Sequence, residues 1–256
     1  MNRIFLCCAM FWLVLPSATC YAQGTSDRTP RPKSIPCRNI HAIIDCPDQG
    51  CGGQYDPNLN RQKNIRDVSQ EPLLRSIAWM KSLRNPRHFT AKDLNREELK
   101  QLGEGQTIRI TAWALAARKG GQETCNCKLK AKADTDNHIV LVDPATKNAT
   151  LAKNEKRDSE TAEFTPRVRL DHPNFTQEKL EALIDPEWES GDRPTKGKVL
   201  VRITGVLMFD SEHFLHRPLK RHNNWEIHPV LQLEYCPEGE TCEVDSDDNW
   251  VDLEDG

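Results

Sequence analysis

"TQEKLEALI" (Thr176–Ile184), followed by "KVLVRITGVLMFD" (Lys198–Asp210) and "NWEIHPVLQLEY" (Asn224–Tyr235), is the stretch on which the fold turns. Its first part sets Leu180, Leu183 and Ile184 on one helical face behind Thr176, a hydroxyl residue suited to capping the helix. The other two parts read as long strands rich in β-branched and aromatic residues. Upstream, "QTIRITAWALAARK" (Gln106–Lys119) alternates Ile108, Ile110, Ala112 and Ala114 against Thr107, Arg109, Thr111 and Trp113, the period-2 pattern of a half-buried strand. Gly120-Gly121 turns the chain into "TCNCKLKAKA" (Thr124–Ala133), read as another alternating strand. "NHIVLVDP" (Asn137–Pro144) is a short buried strand stopped by Pro144, and "TAEFTPRVRL" (Thr161–Leu170) a weaker one broken by Pro166. Strands, one helix, then two strands is the order of an OB-fold barrel, in which the helix plugs one end of a closed sheet. The expectation is a mainly β chain with an OB-fold-like small barrel (β-β-β-α-β-β) over residues 105–236. A β-sandwich with a stray helix is the competing reading.

The flanks differ from this core. Residues 37–104 form a loop-rich, partly helical, cysteine-containing appendage. "CPDQGCGGQYDPNLNRQKN" (Cys46–Asn64) is dense in turn formers. "LLRSIAWMKSL" (Leu73–Leu83) has near-helical spacing, and "TAKDLNREELKQL" (Thr90–Leu102) aligns Leu94, Leu99 and Leu102. Residues 237–256, with "EVDSDDNWVDLEDG" (Glu243–Gly256), read as an acidic solvated tail. Trp250 and Gly256 stand where a calcium loop needs Gly and Glu, so an EF-hand is excluded.

At the other end, Arg3, the apolar run Ile4–Leu15 and a small-residue site after Ala22 make residues 1–22 a signal peptide. Acylation of Cys20 is the lipoprotein alternative. Residues 23–36 are then a flexible basic linker carrying Arg28, Arg31 and Lys33. No later stretch reaches the roughly 20 apolar residues of a membrane span. The expected location is outside the cytoplasm, periplasmic or secreted, with an envelope or extracellular ligand as partner. The chain's formal charge is only −3, so nothing global points to nucleic acid, though nucleic acid is not excluded as a ligand.

Export makes Cys37, Cys46, Cys51, Cys125, Cys127, Cys236 and Cys242 disulfide candidates in preference to zinc ligands, since no paired CxxC knuckles occur. Cys236 and Cys242 flank a short turn and should pair. Cys125 or Cys127 should staple the appendage to the barrel, and the odd number leaves one thiol over.

Half of the eight histidines fall between Phe209 and Pro229. On the last strand Glu226 and His228 share one face, and Trp225 and Ile227 the other. If the latter pair fills the barrel, the former lies outside it or in a groove. Asp210, His213, Glu226 and His228 are therefore the catalytic candidates, as a base and its orienting carboxylate. Asp210, His213 and His228 form an N/O set suited to a divalent metal, Zn or Mn. The bland alternative is a set of surface pairs each worth under about 1 kcal/mol. His216, Arg217, Lys220, Arg221 and His222 make the connecting loop basic, a feature that suits an anionic ligand. There is no GxSxG elbow and no phosphate-cradling GxxxxGK loop.

Several strings together resemble an uncharacterised family of bacterial exported proteins: "GCGGQYDPNLNRQKN", "GGQETCNC", "NHIVLVDP", "EFTPRVR", "ITGVLMFDSEH" and "NNWEIHPV". The likeness spans most of residues 46–236. It implies an OB-like domain and no particular activity, and it marks Asp136 with His138, Asp210 with His213, and Trp225 with Glu226 and His228. Asp136, His138 and Trp225, which the resemblance marks, and Arg217 and Arg221 of the basic loop are candidate ligand-binding residues. The functional expectation is an exported OB-like binding module for an oligosaccharide, nucleic acid or envelope partner. A metal-assisted hydrolase or phosphodiesterase is the alternative, and a structural envelope protein the third reading.

Overall fold

The computed structural model describes residues 35–53, 56–67, 71–89, 96–186, 197–214 and 219–256. The signal segment 1–22, nearly all of the linker 23–36, and Arg217 lie outside the described residues. The strands are β1 (Leu73–Arg75), β2 (Thr107–Lys119), β3 (Asn137–Val142), β4 (Glu160–Phe164), β5 (Val199–Phe209), β6 (Trp225–Tyr235) and β7 (Val251–Asp252). The α-helices are α1 (Pro57–Lys63), α2 (Ile77–Ser82), α3 (Glu97–Gln101), α4 (Leu151–Asn154) and α5 (Gln177–Ile184).

Strands β2, β3 and β4 form an antiparallel meander. After α5, strand β5 returns antiparallel to β2, from Thr107↔Val206 to Ala114↔Val199. Strand β6 pairs antiparallel with β5 and parallel with β4, at Thr161↔Glu226 and Ala162↔Ile227. Those pairings close a five-stranded barrel of the OB type, leaving none of the five with a free edge along its whole length. Thr176 caps α5 by accepting from Lys179 N at 3.1 Å, and Leu180 and Ile184 are buried against β2. The alternation read in β2 is realised: Ile108, Ile110, Ala112 and Ala114 are all buried.

Three sequence readings change. "TCNCKLKAKA" is a series of turns, not a strand. Cys127 and Lys128 have positive φ, 51° and 58°, and Lys128 N donates to Glu123 O at 2.8 Å. Left-handed residues cannot continue a β-ladder, so Cys125 and Cys127 do not share a strand face. In the appendage, Leu73–Arg75 pairs parallel with β2 instead of extending the helix that follows it. Ile77, Met80, Phe89 and Leu99 join the barrel's own apolar core, so this segment shares the core rather than hanging from it. The acidic C-terminal segment also folds back. The guanidinium of Arg202 on β5 takes Glu234 at 2.7 Å and Asp247 at 2.9 Å and lies against the Trp250 ring. Strand β7 then pairs with β6, and Leu253 is fully buried.

The disulfides are Cys37–Cys51, Cys46–Cys127 and Cys236–Cys242, and Cys125 is a buried free thiol. Among the described residues no helix is long and apolar enough to cross a membrane. Cys46–Cys127 joins positions 81 residues apart, whereas Cys236–Cys242 spans 6. Loop-closure entropy therefore favours the first as the main covalent stabiliser. The Cys46→Ser/Cys127→Ser double variant should lose roughly 2–4 kcal/mol and become readily proteolysed between residues 37 and 64. Cys236→Ser/Cys242→Ser should cost clearly less. Denaturant melts and limited proteolysis without reductant check this ordering.

Candidate functional site

Strand β6 presents Trp225 and Ile227 to the barrel interior, where Trp225 meets the Phe209 ring edge-on at 5.1 Å between centroids. Its indole N–H donates to Arg84 O at 3.0 Å. With no exposed ring surface, Trp225 is a core residue, not a stacking platform. Glu226 and His228 point the opposite way, as the alternation requires, yet they are also buried, at 1% and 0% exposure. The outer face of β6 is roofed. Helix α1 starts with Pro57 behind Asp56, whose carboxylate accepts from Asn58 N and Leu59 N. It ends with Lys63 over the sheet. The turn at residues 123–127, held by Cys127 to Cys46, closes the roof beside it.

Beneath that roof lies a continuous charged network. Arg221 donates to Glu226 Oε2 at 2.6 Å and to Asp210 Oδ2. Asp210 Oδ2 also meets His213 Nδ1 at 2.7 Å. Glu226 Oε1 lies 3.2 Å from His228 Nδ1, and Glu163 Oε2 lies 3.0 Å from the same nitrogen. Glu163 Oε2 is also 3.5 Å from His138 Nε2, but neither of its contacts has hydrogen-bond geometry. At the far end Lys63 Nζ donates to Glu123 Oε2 at 2.5 Å, Cys125 Sγ reaches the same oxygen, and Asn126 donates to Asp136 Oδ1 at 2.9 Å. Asp210, His213, Glu226 and His228 are thus linked, with Arg221 as the joint and Asp136 and His138 at the other end.

Electrostatics follows from burial and pairing. Burial pushes the Asp210 carboxyl up, but His213 and Arg221 bring it well below the ordinary range, and His213 rises to about 8 in return. Burial alone would lower His228. The Glu163 and Glu226 carboxylates reverse that and hold it charged, at about 10. Asp136 is raised to about 6 by burial and by Glu123. Glu226 is raised by burial and by Glu163, whereas His138 and His228 overcome burial at Glu163 and lower it.

The expected metal trio is rearranged. Arg221 occupies the space between Asp210 and Glu226, and the donor groups that approach within 4.8 Å of one another lie further along. They are Asp136–Glu163–His228, Glu123–His138–Glu163 and Glu123–Cys125–Asp136. Cys37, Cys51 and Cys127 also cluster, but all three are in disulfides. Glu163, Glu123 and Lys63 were not singled out from sequence, being isolated charges with no diagnostic spacing. Gly120 belongs here too. Its N–H donates to Asp136 O at 2.6 Å, and a Cβ there would sit 2.8 Å from His138 Nε2.

A cleft of about 440 Å³ opens over this network. It is walled by His138, Val140, Thr161 and Glu163 of β3 and β4, by Glu123 of the β2–β3 connection, and by Asp210, His213, Lys220 and Arg221 of the β5–β6 connection.

Two outcomes follow. Arg221→Met removes the guanidinium shared by the buried Asp210 and Glu226, leaving them only His213 and His228, and should cost about 3–5 kcal/mol, with Arg221→Lys failing to restore two-sided bonding. Glu160 on β4 has no exposure and neither of its oxygens has a hydrogen-bond partner. Burial lifts it to about 8, against partial opposition from Arg221 and Lys81. The folded state therefore holds a proton that the unfolded chain releases near pH 4.5, and stability falls as pH climbs between those values. Relative to Glu160→Gln, the wild-type melting temperature should drop steadily from about pH 4.5 to about pH 8 and level off beyond. A constant difference across that window would refute the assignment. No known protein family, curated protein or solved structure matches this chain, so its function is argued from the geometry alone.

Proposed function

We propose that the chain is an exported OB-barrel module that binds an acidic oligosaccharide in the cleft above β3 and β4. The observation that carries this reading is position. OB folds bind chain-like ligands on the face of their second and third strands, between the loops joining strands one to two and four to five. Here those elements are β3, β4, the 120–136 connection and the 210–224 connection, and all four line the cleft.

The lining favours charge and hydrogen bonding over stacking. Among the described residues no Phe, Tyr or Trp lines the cleft, whereas single-stranded nucleic acid is held by aromatic rings on which bases stack. The acids of the wall are committed inward, to Arg221, Lys63, His228 and, for Glu155, Arg118. Lys119 and Lys220 line the same cleft, are exposed and carry no ion pair among the described residues. They give the mouth a positive lip that suits carboxylate or phosphate groups on a sugar chain. Three disulfides and the signal-like N-terminus support an oxidising, extracytoplasmic setting.

Calorimetry with uronic-acid and phosphate-bearing oligosaccharides, a neutral oligosaccharide and a single-stranded oligonucleotide tests the reading. Saturable binding confined to the acidic glycans is expected, weakening as salt is raised. Lys119→Glu/Lys220→Glu should reduce affinity at least tenfold with the melting temperature unchanged. Equal binding of the oligonucleotide, or no saturable glycan, would sink the proposal.

A further inference from the structure

The two ends of the buried network are unequally satisfied. At the Arg221 end each contact is a charge-assisted bond. At the other end, Asp136 Oδ2 and His228 Nε2 are buried polar atoms with no hydrogen-bond partner, and Glu163 Oε2 has only off-axis neighbours. Leaving such a group unsatisfied is destabilising, more so when it is charged. Three orphans in one place are a costly arrangement for a purely structural network.

We propose that Asp136, Glu163 and His228 bind one divalent transition-metal ion, Zn²⁺ in preference to Mg²⁺ or Ca²⁺. The three side chains come from the residue before β3, from β4 and from β6, neighbouring elements of the closed barrel. One donor atom from each lies within 4.8 Å of the other two, and all three residues are buried. A tetrahedral ion with bonds of about 2.0–2.2 Å to N and O donors would draw those atoms closer together. The supports around the donors are those a metal centre needs. Asn126 holds the other Asp136 oxygen, and Glu226 lies beside His228 Nδ1, the nitrogen that Glu163 also approaches, which fixes the orientation of the ring.

Charge balance points the same way. With His228 a neutral ligand, the carboxylates of Glu123, Asp136, Glu163, Asp210 and Glu226 outnumber Lys63, Arg221 and His213, the cations paired within the network, and Glu212 nearby adds a further acid. A dication offsets most of that excess. Glu123, His138 and Glu163 form a second close group on the cleft wall, so an ion arriving from the cleft meets donors before it reaches the buried trio. The imidazole favours a borderline ion over a hard one, and Cys125, close to Glu123 and Asp136, adds a soft donor nearby.

The test uses untagged, non-reduced protein stripped with EDTA and titrated with ZnCl₂ alone, so it is independent of any glycan. One saturable equivalent per chain is expected, with a rise in melting temperature that equimolar MgCl₂ does not reproduce. Asp136→Asn and His228→Gln should each weaken Zn²⁺ at least tenfold while keeping the wild-type far-ultraviolet circular dichroism. Should either variant fail to fold, anomalous diffraction from wild-type crystals soaked in ZnCl₂ decides. A peak bonded to Asp136, Glu163 and His228 upholds the site. A peak only at other residues, no saturable binding, or folded variants that bind as tightly as the wild type overturns it.

Discussion

A carboxylate taken out of water must find a counter-charge or give up its own, and that constraint shapes this molecule more than any single element. The first half of strand β6 has no solvent face: the side that should be wet carries Glu226 and His228, and both are buried. Burying them is tolerable only because Arg221 bonds two carboxylates at once and His228 sits between Glu163 and Glu226. Guanidinium suits that bridging role because its donors are fixed in a plane and its charge is never lost. Lys63 does the same for Glu123 from the opposite side, contributed by a helix that belongs to the N-terminal segment.

That segment could not stay in place through its own apolar content. It is anchored by Cys46–Cys127 to the turn it covers, by Arg167 Nη2 donating to Cys46 O, and by Asn60 accepting from Thr124 Oγ1 and Asn64 donating to Cys125 O. The roof, the β2–β3 connection and the barrel wall therefore form one unit. The same closed topology that removes sheet edges also sets the β2–β3 and β5–β6 connections beside each other, with the cleft between them.

This arrangement explains which parts were legible in the sequence. Strand β2 and helix α5 depend on local periodicity and a local cap, so Ile108, Ile110, Leu180 and Ile184 could be placed from spacing alone. The OB order followed from the single helix ahead of β5 and β6. Opposite faces for Trp225 and Glu226 were equally readable, but burial of both was not, because the roof comes from residues far away in sequence. The 124–133 segment was misread since Leu129, Ala131 and Ala133 imitate alternation, whereas a disulfide and left-handed residues dictate its path. The C-terminal acids looked solvated because their partner, Arg202, lies on a strand some forty residues upstream. Glu163 and Glu123 carry no spacing signature at all. Only the barrel brings them to His138 and His228.

The distribution of satisfied and unsatisfied groups then separates architecture from function. If the whole network served only to hold β6 under its roof, stability alone would favour an even pairing throughout, since each orphaned buried oxygen or nitrogen weakens the fold. Instead, within the charged network, Asp210, Arg221 and His213 are tightly bonded, whereas Asp136, Glu163 and His228, next to the cleft wall, each keep a buried atom without a hydrogen-bond partner. An apolar repacking of those positions would cost the fold nothing in principle. Keeping acids and an imidazole there, close together and under-bonded, is the arrangement expected where a protein holds donors for something that is not part of its own chain.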